Sequence, residues 1–411
     1  MESGRDDSGN KKMKPEFYRT KLKNGMTILF EKRNLPIVSV AFAVRAGGVN
    51  EIGEEKGISH FIEHMLYKGT PSRNAQKIAS EIERNGGILN GFTSETATAF
   101  WCKLPSKQVN TALNVLSDMV KNPLFEKKEL EKERKVIFEE IKMRKDSPRL
   151  YVSDQIPGHL YEPPLAIPLI GTYASMNSLD RQMLVDKFKR IYCPENMVLC
   201  VVGDADFGSI TEFAEQNFGN EKGTIPKIPI KLKNEEIIEK RKSIDQANMA
   251  FACHAPLAQD KMSYAAVVLN TLMAGGMSSR LFSEIREKRN LAYAVKGEAD
   301  ITKDFAYHLI YVGAMKENVE KIKSIILNEF DKAASDISEK ELNEVKNQII
   351  GNHQISMEDS SEQMASLLLY EVDNNISGFY DFEKRISEVR LGDVQKLAKI
   401  KKYTFFALVP D

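Results

Sequence analysis

The chain has 411 residues, 42% of them apolar, and carries 58 basic against 58 acidic side chains, so its formal net charge is zero. That length suits one large domain or two of ordinary size, and two is the expectation. The balanced charge argues against attachment to nucleic acid or an anionic membrane, and no apolar run approaches the ~20 residues of a membrane span.

In chain order, residues 1–16 (MESGRDDSGNKKMKPE) are polar and charged. They have neither the apolar stretch of a secretion signal nor the acid-poor character of a transit peptide, so they are expected to form a disordered leader of a cytoplasmic protein. Cys102, Cys193, Cys200 and Cys253 lack C-x-x-C spacing and are expected to be reduced and buried.

Strand-like MTILFEK and IVSVAFAV are followed by GISHFIEHMLYKGT, which opens at Gly57. Ile58, Phe61, Ile62 and Met65 supply a helical apolar stripe, and Gly69 and Pro71 mark its stop. Within it His60, Glu63 and His64 spell H-x-x-E-H, placing two of the chain's six histidines four apart. At about 100° per residue all three side chains leave one helix face. Two neutral imidazoles there are ligands for zinc or a similar ion, and the carboxylate beside them can take a proton from water. The competing reading is a helix with buried, hydrogen-bonded histidines and a solvated glutamate.

NGGILNGFTSETATAFWCKL, from Asn85, reads as an amphipathic hairpin. The helix KKELEKERKVIFEEIKMRKD offers many carboxylates, most of them a solvated face. With Val136 at zero, Ile137 falls near 100°, Glu140 near 40° and Glu139 near −60°, so Glu140 points between two apolar residues and needs a partner. Glu133, seven residues earlier, shares that azimuth. Two readings stand for it: an acid that orients a ligand, or an ordinary surface glutamate.

After the strand NMVLCVVGDAD, the Gly-, Pro- and Lys-rich residues 219–235 read as a linker. A similar order then runs again, and ELEKERKVIFEEI from Glu129 overlies ELNEVKNQIIGNH from Glu341. Glu140 faces Asn352 in that pairing, and no second H-x-x-E-H occurs, so only the first copy carries the metal motif. The expected fold class is α+β, with two homologous α/β domains related by internal duplication, each a mostly antiparallel sheet packed with helices. Their expected bounds are 17–218 and 236–411.

The motif with its downstream glutamate resembles the inverted zinc motif of the pitrilysin-type (M16) metallopeptidases, in particular the short two-domain subfamily similar to mitochondrial processing peptidase and its bacterial and archaeal relatives. In that family the third ligand lies roughly seventy to eighty residues past the second histidine, where Glu140 falls. ERKVIFEEIKMRKDSP is similar to the family's second signature, and the likeness runs from about Phe17 to the end.

The resemblance implies that His60, His64 and Glu140 hold one zinc ion per chain and that Glu63 is the general base. It implies further that the strand around Asn90, Gly91, Phe92 and Thr93 receives an extended peptide or unfolded polypeptide. SSRLFSEIREKRNLAYAV is similar to a stretch whose arginine and tyrosine hold the substrate carbonyl; here they are Arg286 and Tyr293. With two domains per chain, the resemblance implies a chamber built from two chains, a homodimer or a heterodimer with a zinc-less homologue. The alternative expectation is a non-catalytic or partner-dependent subunit of a heterodimeric processing peptidase.

Overall fold

The computed structural model describes residues 16–411; the leader expected over 1–16 lies, except for Glu16, outside the described residues. The first half runs β1 (Phe17–Lys21), β2 (Thr27–Lys32), β3 (Ile37–Val44), α1 (Ile58–Leu66), α2 (Ala75–Glu83), β4 (Ile88–Thr93), β5 (Thr98–Pro105), α3 (Val109–Lys121), α4 (Lys127–Asp146), α5 (Pro148–Leu160), α6 (Tyr173–Ser178), α7 (Arg181–Ile191), β6 (Met197–Gly203) and α8 (Phe207–Asn217). The second runs β7 (Glu236–Arg241), β8 (Ala247–His254), α9 (Ser263–Ala274), a π-helical turn at Phe282–Glu287, β9 (Ala292–Ile301), β10 (Ala306–Ala314), α10 (Val319–Ala333), α11 (Glu339–Ser356), α12 (Ser360–Val372), three short helices and β11 (Thr404–Pro410). Between them, residues 219–235 contain no helix and only an isolated bridge, Tyr161 to Leu232.

The strands form two sheets, ordered β1-β2-β6-β3-β5-β4 and β7-β11-β8-β10-β9. Setting β2 on β7, β6 on β11, β3 on β8, β5 on β10 and β4 on β9 makes the orders identical, with β1 the one addition. Among the described residues only β2–β6 and β7–β11 pair in parallel. The helices repeat too: α5 and α12 stand 212 residues apart at both ends. The fold is therefore α+β with two copies of one unit. Among the described residues no helix is long and apolar enough to cross a membrane.

Strand alternation explains how the copies join. In β3, Val38, Val40 and Phe42 face the helices of their own half, packing with Phe61, Ile62 and Met65 of α1. Ala41 and Ala43 point the other way, where small side chains let a helix come close. That helix is α12 of the second half, which places Met364, Leu367, Leu368 and Val372 against Ala41, Ala43, Val198 and Val202. The exchange is mutual. In β8, Met249 and Phe251 face their own half, whereas Ala250 and Ala252 receive Val152, Ile156 and Leu160 of α5 from the first half.

Polar contacts fix the register of the exchange. Glu371 of α12, 2% exposed, accepts from Arg19 at 2.8 Å and Arg45 at 2.7 Å, two guanidinium groups from the first half. Ser39 and Ser360 meet at 2.8 Å in the buried interface.

Burying the four α12 side chains stabilises the pairing by about 6–10 kcal/mol, as large as a typical domain's net stability. A chain cut between the exposed residues Asn220 and Glu221 should therefore give two fragments that aggregate when made singly and form a soluble complex when co-expressed. Cooperative unfolding of either fragment alone as a monomer would contradict this account of the core.

Candidate metal centre

Helix α1 starts at Gly57, whose φ of 92° suits glycine and starts the helix just ahead of the histidines. Buried Glu51 accepts from the backbone N–H groups of Gly57 at 2.9 Å and Ser59 at 2.8 Å, satisfying donors that a helix start leaves free. Ile58, Phe61, Ile62 and Met65 are buried, which turns His60, Glu63 and His64 toward α4 and β4.

Glu140 of α4 stands opposite. Its Oε2 lies 3.6 Å from His60 Nε2 and 3.8 Å from His64 Nε2, and one donor atom from each residue falls within 4.8 Å of the others. Ligands held tetrahedrally at about 2.1 Å from zinc stand about 3.4 Å apart, so two imidazole nitrogens and one carboxylate oxygen fit that ion. Ile137 beside Glu140 is fully buried, but Val136 is 49% exposed, so the carboxylate sits at the margin of the apolar stripe rather than within it.

Glu133 fastens His64 from behind. Its Oε2 lies 3.1 Å from His64 Nδ1 and its Oε1 lies 2.7 Å from Lys68 Nζ. Burial alone would raise the Glu133 pKa, but the bonds from His64 and Lys68 outweigh it and hold the carboxyl below its ordinary value. As a carboxylate it only accepts, so His64 donates from Nδ1 and its Nε2 is the atom that faces Glu140. Burial, then the charges of His64 and Arg144, lower the His60 pKa to about 3, which keeps that imidazole neutral. Its buried Nδ1 has no hydrogen-bond partner among the described residues. Lys68 escaped the sequence reading although it stands four residues past His64.

Glu63 is set apart from the three donors. Burial raises its pKa and the charge of Glu140 adds to the rise, while the Thr93 hydrogen bond and His64 offset part of it. Thr93 Oγ1 donates to Glu63 Oε2 at 2.6 Å. A carboxyl group with a raised pKa is suited to both accept and return a proton.

Among the described residues β4 is the outer strand of its sheet and pairs only with β5, which leaves one row of its backbone groups open. Its alternation turns Leu89, Gly91 and Thr93 toward α1 and leaves Phe92 in the cluster that α12 joins. A Cβ on Gly91 would stand 2.4 Å from the Tyr67 hydroxyl and 3.3 Å from Glu63 Oε1, so the strand crosses directly over the acid.

Arg286 and Tyr293 lie elsewhere. Arg286, in the π-helical turn, is 45% exposed and spreads over the Phe282 ring at 4.9 Å. Tyr293, on the outer strand β9, is 48% exposed, with its hydroxyl 3.4 Å from that of Tyr311. Among the described contacts neither reaches His60, Glu63, His64 or Glu140.

Residues 27–173, which include all four of those side chains, match the family model described as insulinase (peptidase family M16). Residues 178–349, which include Arg286 and Tyr293, match the one described as peptidase M16 inactive domain. An uncharacterized zinc protease of Bacillus subtilis is 32% identical over 348 residues, covering 83% of this chain and 85% of that protein. One from Rickettsia felis is 31% identical over 350 residues, covering 83% and 84%. Among solved structures, a protease from Helicobacter pylori superposes with a TM-score of 0.89 at 22% identity, covering 96% of this chain and 100% of that one. A peptidase M16 inactive domain from Pseudomonas fluorescens gives 0.87 at 20% identity, covering 96% and 98%. The fold is thus shared with solved M16 proteins, and the matched models and relatives at this identity and coverage show that the chain belongs to the insulinase family of peptidases, M16.

Proposed function

We propose that this chain is a zinc-dependent endopeptidase that hydrolyses peptides or unfolded segments inside a chamber formed by two copies. The observation that carries the reading is the convergence of His60, His64 and Glu140, with Glu63 beside them and Glu133 behind His64. The zinc protease names of the relatives from Bacillus subtilis and Rickettsia felis support it. In this reading residues 17–218 form the zinc-carrying domain, 219–235 the linker and 236–411 the homologous domain without zinc.

His60, His64 and Glu140 would hold one zinc ion, which when bound polarises a carbonyl and makes water a stronger acid. The open edge of β4 takes the substrate as an added strand, which reads backbone more than side chains. Glu63 accepts the proton of the attacking water and delivers it to the leaving amine, the exchange its raised pKa favours. Arg286 and Tyr293 are donors suited to the developing oxyanion, and their exposure leaves them available to a second chain. We therefore assign that task to the partner subunit's Arg286 and the partner subunit's Tyr293. Because one chain carries both sets, a homodimer is self-sufficient; a heterodimer with a zinc-less homologue is the competing assembly.

Chelation should abolish cleavage of an unstructured peptide and stoichiometric zinc should restore it; cleavage by verified metal-free protein would refute the metallopeptidase reading. Glu133→Gln should weaken zinc affinity about 10- to 100-fold, read by competition with a chromogenic chelator, because His64 loses a charged acceptor. An unchanged affinity would show that Glu133 does not support His64 as a ligand. Mixing two impaired proteins, His64→Ala and Arg286→Ala with Tyr293→Phe, should restore about a quarter of wild-type activity. Half of randomly formed dimers are mixed, and each then has one intact composite site of two. No recovery on mixing would place both sets of residues in one chain's site or call for a different partner.

A further inference from the structure

β4 ends at Thr93, and the turn beyond it is held firmly. Ser94 and Ala97 close this tight turn, with Ser94 N donating to Ala97 O at 2.8 Å and Ala97 N donating to Ser94 Oγ at 3.0 Å. The turn is pinned from outside where Gly48 N donates to Ser94 O at 3.2 Å and Val49 N donates to Glu95 O at 2.9 Å. A Cβ on Gly47 would stand 2.0 Å from Ser94 O, so this contact leaves no slack. Thr93 therefore presents its hydroxyl from a rigid place.

That hydroxyl is directed inward. It donates to Glu63 Oε2 at 2.6 Å, on the α1 face of β4, while the backbone row open for an added strand runs along the strand's free edge. A carboxylate on a glutamate side chain turns readily about its last torsion. One short hydrogen bond from a fixed donor, with Gly91 crossing beside Oε1, removes that freedom.

We propose that Thr93 is a positioning residue for the general base, tying Glu63 to the strand on which substrate is laid, so that one element aligns both the scissile backbone and the group that moves the proton. This inference rests on the peptidase reading above. It adds a task for the Thr93 side chain to the expectation that the strand around Asn90, Gly91, Phe92 and Thr93 receives substrate.

The test compares Thr93→Val, nearly isosteric and compatible with a strand, with Thr93→Ser, which keeps the hydroxyl. With a quenched fluorescent peptide, the valine protein should keep its zinc content and KM while kcat falls about 10- to 100-fold, the factor that a lost hydrogen bond to a charged group represents. Serine should recover most of the rate. Crystal structures should show the Glu63 carboxylate turned away in the valine protein and in place in the serine protein. A rise in KM with unchanged kcat would make Thr93 a substrate contact and overturn the proposal, as would a valine protein with wild-type kcat. If the wild-type chain cleaves nothing, the peptidase reading fails. The crystallographic comparison still decides the tether, since an unmoved Glu63 carboxylate in the valine protein overturns it.

Discussion

Each sheet in this protein has two apolar faces, and its own half supplies helices for only one of them. The fold meets this constraint by exchange: α12 covers the open face of the first sheet and α5 that of the second. The candidate metal centre depends on the same exchange. Only Ser147 separates α5 from α4, the helix that carries Glu133 and Glu140. Arg144 near the end of α4 pairs with Asp154 of α5 at 2.8 Å, so Glu140 rides on a helix whose far end is anchored in the core of the other half. Its other flank is held by Leu130 and Ile137, which pack in the first-half core with α1. The separation between Glu140 and the two histidines is thus fixed by packing on both sides of the linker.

Within the centre the same burial acts in opposite directions on neighbouring groups. It lowers the pKa of His60, leaving a neutral imidazole suited to a metal, and raises that of Glu63, suiting it to carry a proton. Glu133 escapes the effect because two hydrogen bonds from cationic or polarised partners outweigh it. The sign of the charged form therefore separates His60 from Glu63, and hydrogen-bond partners separate Glu133 from Glu63. The Thr93 hydroxyl is such a partner for Glu63.

Much of this was legible in the sequence, and the parts that were not have physical reasons. H-x-x-E-H is read from helical phase alone, because all three side chains belong to one helix. Glu140 could be singled out by phase, although Val136 beside it is exposed where an apolar neighbour was expected. The likeness of α4 to α11 showed the duplication, since charged helices keep their pattern when copied. The exchange of α5 and α12 was not visible: an apolar helix face does not say which sheet it will meet. β7 was missed because EIIEKR lacks alternation and follows a linker. The direction of Thr93 depends on which face of β4 meets α1, and that is decided by tertiary packing.

The central claim is that Glu63 moves the proton at a zinc site built by His60, His64 and Glu140. The most direct measurement is peptide cleavage by purified Glu63→Gln beside the wild type, with zinc content determined on both samples. The account predicts equal zinc and equal folding, with cleavage by the glutamine protein reduced about a thousandfold or more, the upper range for loss of a general base. Comparable cleavage by the two proteins at equal zinc content would contradict it.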